Sequence, residues 1–246
     1  MCRLDQSLMA ATDLMTSAEA QRAIYVDFEG RTKEDPVLLG VLYAEGRTRI
    51  DPNRVVLRHD IIDRTFEPLH RVDPLETEEY VYRYDSEVRH HWIAIREVVR
   101  RAENQDRLIV AWSQHELLLV QKACQADGLD KTFETHFRDG KATAKRWLRD
   151  FHPDQEPPHN AHSGSHKLAH YMDVVGWVVP PEFGAGNVGA NLKLLRGALE
   201  KGKTWDTFTD SQRHAWHQVV GHNMHDCLGL RDVVTRAAGE LDLATP

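Results

Sequence analysis

Cysteine is scarce in this chain. Its 246 residues include three, Cys2, Cys124 and Cys227, an odd number whose spacing fits neither a disulfide framework nor a zinc-binding pair. Long apolar runs are lacking as well: no stretch approaches the roughly 18 residues that a membrane span needs. The opening segment, MCRLDQSLMAATDLMTSAEA, carries acids and no apolar centre, so no secretory signal is expected from it. These absences together predict a cytoplasmic protein with no membrane partner. Basic charge is in deficit, with a net charge of -7. That balance argues against simple coating of nucleic acid, yet it allows a local basic track beside an acidic site. The remaining composition, 41% hydrophobic and 28% charged with 10 Pro and 15 Gly, is that of a globular chain. Histidine, at 15 residues, is the abundance that needs an account.

Periodicity organises the chain into an arm at 1–20 and one domain at 21–246. Strand-like runs occupy 23–29, 36–44, 47–50 and 54–62, with EG and EDP punctuating the connections as turns. Residues 85–102 predict a helix whose apolar stripe is Val88, Trp92, Ile95 and Val99. LIVAWS at 108–113 reads as a buried strand feeding a helix at 114–126. Residues 136–151 predict another helix, with Phe137, Trp147, Leu148 and Phe151 on one side. The Pro- and His-rich stretch 152–166 has no period and reads as a loop, and helices broken by PPEFGAGNVGAN follow to about 242. The pattern predicts a single α/β domain with a mixed sheet and a helical C-terminal portion.

The chemistry begins at AIYVDFEG, residues 23–30. Residues two apart on a strand share a face, so Asp27 and Glu29 stand side by side while Val26 and Phe28 turn away. Two anions on a buried strand repel, and either a proton or a cation must relieve them. A second acid, Glu116, opens a helix beyond the buried strand, where helix capping explains it equally well. The third motif is GHNMHDCLGLRD, in which His222 and Asp226 are four apart on one helix face and His225 is turned about 100° from Asp226.

The order of these motifs, D-x-E on the first strand, an acid just beyond the buried strand at 108–113, then H-x-x-x-D on a late helix, resembles the DEDD 3′–5′ exonuclease superfamily. The nearest likeness is to its stand-alone ribonuclease H-like branch, whose last motif is usually Y-N-x-x-D and here reads His222-Asn223-Met224-His225-Asp226. The sequence departs in carrying Glu116 where many members have Asp, and in a His-to-Asp spacing one residue shorter than that of the histidine subgroup. The resemblance spans roughly residues 22–238 and implies a ribonuclease H-like fold and a two-metal nuclease, a 3′–5′ exonuclease on DNA or RNA. It further implies two Mg2+ or Mn2+ ions, with Asp27 bridging both, Glu29 and Asp226 holding the first, and Glu116 supporting the second. His222 would orient or deprotonate the attacking water, a task suited to imidazole near neutral pH.

Arg138, Lys141, Lys145 and Arg149 step by three, four and four, and read either as a phosphate track or as a solvated helix face. Lys193, Arg196, Lys201 and Lys203 form a less regular second candidate. His162, His166 and His170 are spaced like zinc ligands, but Ser163-Gly164-Ser165 interrupts any helix there, so a loop is expected. The alternative to an enzyme is a catalytically weak ribonuclease H-like protein that binds nucleic acid or a partner.

Overall fold

The structure, a computed structural model, describes residues 14–30, 35–46, 50–70, 81–112, 116, 128–155, 166–184 and 186–244. The apolar run ending in two acids becomes β1, Ile24–Glu29. It lies inside a six-stranded sheet with β2 (Leu38–Glu45), β3 (Asp51–Ile61), β4 (Arg83–Val88), β5 (Ile109–Ala111) and β6 (Phe137–Asp139), in the order β4-β3-β2-β1-β5-β6. The first three strands meander antiparallel, while β4 is parallel to β3, β5 to β1 and β6 to β5. The sheet is therefore mixed.

Side-chain alternation decides what each face carries. Ile24, Val26, Leu39, Val41 and Ile109 pack against Ile95, Val98 and Val99 of α2 (His91–Gln105). Tyr25, Leu42, Leu57 and Val110 form the opposite core with Trp216, Val220, Met224 and Leu230, which belong to the 35-residue C-terminal helix Asp210–Ala244. Asp27 and Glu29 share Tyr25's face and so point toward that helix. Against the C-terminal helix, here α7, pack α1 (Ser17–Arg22), α4 (Gly140–Phe151), α5 (Leu168–Val175) and α6 (Val188–Leu199); α3 (Asp130–His136) lies on the α2 side. No helix among the described residues is long and apolar enough to cross a membrane.

Three expectations need correction. The stretch 85–102 is not one helix, because 83–88 pairs as a parallel edge strand with β3 and α2 starts at His91. Its buried face is Ala94, Ile95, Val98, Val99 and Ala102, whereas Trp92 is 38% exposed. The helix expected from 136 begins at Gly140, after Phe137–Asp139 has joined β5, with the Asp139 carboxylate accepting from the Lys141 amide at 2.9 Å. Phe151 is exposed rather than packed beside Trp147. The expected strand at 47–50 and helix at 114–126 lie outside the described residues, apart from Ile50 and the helical Glu116.

Glycine permits α7 to lie close to its neighbours. A Cβ on Gly221 would come within 2.3 Å of the Phe183 ring, and one on Gly40 of β2 within 2.0 Å of Asn223 Oδ1. Gly40→Ala is expected to lose roughly 1–3 kcal/mol of stability by overpacking. By contrast Gly197→Ala, inside α6 with nothing within 4 Å of its Cβ, should gain up to about 1 kcal/mol. Urea unfolding of both variants checks this; a Gly40→Ala protein as stable as the parent would mean that Asn223 does not sit over β2.

Candidate metal centre

From β1 the chain proceeds outward through β2 and β3 to β4, then crosses to β5 and β6 on the other side of β1. Such a reversal opens a crevice beyond the carboxyl ends of the strands, where open α/β sheets place their ligands. Glu29 ends β1 and Asp139 ends β6. Above this edge passes α7, bringing His222, Asn223 and Asp226 down onto the acids of β1.

Five side chains meet there. His222 Nε2 lies 3.6 Å from Asp226 Oδ2 and 3.9 Å from Glu29 Oε1. One ligand atom from each of Glu29, His222 and Asp226 falls within 4.8 Å of the others. His222 Nδ1 donates to the Phe183 carbonyl at 2.8 Å, which leaves Nε2 facing the two carboxylates. A ring nitrogen committed to a backbone carbonyl while the other faces acids is the arrangement of a metal-binding histidine. Asp27 accepts from Asn223 Nδ2 at 2.7 Å. Asn223 Oδ1 in turn accepts from His59 Nε2 at 2.9 Å. The Glu29–His222–Asp226 cluster could hold a metal ion.

The electrostatics agree with that reading. Burial raises Asp27 well above the usual carboxylate range, and the charges of Asp226 and Glu116 add to the shift. Glu29 is raised in the same way by burial, then by Asp27 and Asp226. Asp226 is raised by burial, with His222 opposing. Among the described residues none of the three is paired to Lys or Arg, so protons or a cation must balance them. The Asp226 side chain remains 28% exposed, which keeps one side of the cluster open to solvent.

The other expected site residues are more dispersed. Glu116 is helical and near enough to raise both Asp27 and Asp139. His225 turns away from Asp226 between the Phe183 and Trp177 rings, and burial lowers its pKa to about 4. Arg138 is not part of the helical stripe: it lies in β6, and its guanidinium donates to the Thr135 and Phe137 carbonyls. Lys141 approaches the Trp112 ring, 5.8 Å from its centroid, at the end of β5. Lys145 and Arg149 continue along the exposed side of α4, where Arg149 meets Asp150 at 3.4 Å. His166 bonds Tyr171 Oη at 2.6 Å and His170 the Gln155 carbonyl at 2.9 Å; His162 lies outside the described residues. In the second basic group Arg196 pairs with Asp63 at 2.8 Å.

Sequence reasoning missed Asn223, His59 and Asp139. The polar triplet Arg58-His59-Asp60 inside an otherwise apolar strand was the available signal, since a buried polar side chain needs a partner. No family model, no curated protein and no solved structure matches the chain.

Because the folded pKa of Asp27 lies above its unfolded value of 3.8, the stability tied to its protonated form is fully present below about pH 4. It is lost as pH rises through the folded pKa. Asp27→Asn should therefore melt higher than the parent at pH 7 without added metal, by about 2–4 °C per kcal/mol of repulsion relieved. The gain should shrink toward pH 4. Equal melting temperatures at pH 7 would show that the cluster is not under charge stress.

Proposed function

We propose that the protein is a divalent-metal-dependent nuclease of ribonuclease H-like fold that hydrolyses phosphodiester bonds, acting as a 3′–5′ exonuclease on DNA or RNA. The observation that carries this reading is the meeting of the β1 acids with His222 and Asp226 of α7. A sequence separation of 196 residues lies between Asp27 and Asn223, the α7 residue that bonds it. The mixed sheet with its acids at the β1–β5 crevice supports the fold assignment, and the order of the acidic motifs supports the chemistry. Bound divalent ions would supply electrostatic stabilisation of the charge that develops as the phosphodiester is hydrolysed.

The donor set suits Mg2+ or Mn2+. Carboxylate oxygens serve both, and a single imidazole favours Mn2+ of the two. Glu29, Asp226 and His222 Nε2 would hold one ion, and Asp27 with Glu116 would face the second. His222, with Nδ1 on the Phe183 carbonyl and Nε2 turned to the acids, would ligate or take a proton from bound water. Lys141 beside Trp112, followed by Lys145, would meet substrate phosphates approaching the open side.

The test is hydrolysis of 5′-labelled single-stranded DNA and RNA with Mn2+ or Mg2+. A ladder shortening from the 3′ end is expected, abolished by chelation. Asp27→Ala and Asp226→Ala should each fall by roughly 10²-fold or more, the scale of a lost electrostatic stabiliser, while circular dichroism stays unchanged. Full activity in Asp27→Ala would move the active site elsewhere, and substrate binding without cleavage would favour the non-catalytic alternative.

A further inference from the structure

One polar chain runs across the sheet beneath α7. Tyr84 Oη lies 3.2 Å from His59 Nδ1, His59 Nε2 lies 2.9 Å from Asn223 Oδ1, and Asn223 Nδ2 lies 2.7 Å from Asp27 Oδ2 and 3.2 Å from the Asp27 carbonyl. Its members come from β4, β3, α7 and β1. It passes over β2 at Gly40, which pairs with Asp27 on one side and His59 on the other. Any side chain on Gly40 would occupy the volume of Asn223 Oδ1.

The bonds have a single consistent direction. The Asp27 main-chain carbonyl only accepts, so the Asn223 amide must present its NH2 to Asp27 and its oxygen to His59. That oxygen demands a proton on His59 Nε2, and His59 Nδ1 is then the acceptor for the Tyr84 hydroxyl. A flipped Asn223 amide would set its oxygen against the Asp27 carboxylate. His59 is 1% exposed and Asn223 0%, so water does not offer either one a substitute partner.

We infer that His59 is a positioning residue for the metal centre: through Asn223 it fixes which oxygen of Asp27 remains directed at the cation. This rests on the metal-binding reading of the site. Outer partners that orient a ligand alter metal affinity by roughly 10- to 100-fold when removed. A buried histidine serving stability alone would not affect it.

The experiment measures Mn2+ affinity by calorimetry for the parent, His59→Leu, His59→Gln and Tyr84→Phe, with circular dichroism confirming fold. Glutamine can donate to Asn223 and accept from Tyr84, whereas leucine can do neither. His59→Leu is expected to weaken Mn2+ binding by roughly 10-fold or more, and His59→Gln should restore most of it. Tyr84→Phe, a mild change at a partly exposed residue, should fall between the two and keeps the test open if His59→Leu does not fold. In the metal-free parent, imidazole 15N shifts should show the proton of His59 on Nε2. A proton on Nδ1, or equal Mn2+ affinity in the parent, His59→Leu and Tyr84→Phe, would overturn the positioning role while leaving the metal centre standing. A parent that binds no Mn2+ would instead overturn the metal reading, and this inference with it, before any variant is compared.

Discussion

Asp27 and Glu29 stand on one face of a buried strand, and α7 lowers Asp226 onto them. Charges of one sign, withdrawn from water and without a Lys or Arg partner among the described residues, raise one another's pKa values. Keeping them together costs free energy, which the packing around them must offset. The cores on either side of β1 supply that packing: Tyr25, Leu42 and Trp216 on one face, Ile24, Val41 and Val99 on the other, all buried. The acids are thus held by a frame that does not depend on them, which is how a strained charge cluster persists in a folded protein.

The same helix shapes the site in two ways. On one side it presents His222 and Asp226 to Glu29; on the next it inserts Asn223 between Asp27 and His59. Both depend on α7 lying close to its neighbours, at Gly40 of β2 and at Gly221 against Phe183. Phe183 thereby has a double part, filling the space above Gly221 while its carbonyl fixes the tautomer of His222. A shift of α7 along the sheet would disturb the Glu29–His222–Asp226 cluster and the bond to Asp27 together, so packing and site geometry are one constraint.

Much of this was legible in the sequence, for identifiable reasons. The alternation in AIYVDFE fixed which side chains share a face, and the four-residue step from His222 to Asp226 fixed another shared face, because both follow from backbone geometry alone. Where pairing between distant segments decides, the sequence was silent. Residues 83–88 became a strand because β3 offered an edge, and 137–139 because β5 did. Gly221 and Gly229 resemble helix breakers in the sequence, yet they mark where Phe183 and Met172 press against α7. The helix therefore runs unbroken from Asp210 to Ala244. His59 and Asn223 are 164 residues apart, and nothing local to either announces the other.

The central claim is that Glu29, His222 and Asp226 form a cation site. Its most direct test is anomalous diffraction from crystals soaked in Mn2+. A peak is expected that is bounded by the Glu29 and Asp226 carboxylates and His222 Nε2, with His222 Nδ1 still donating to Phe183. Density for Mn2+ only at other positions, with His222 turned away from the two acids, would contradict it.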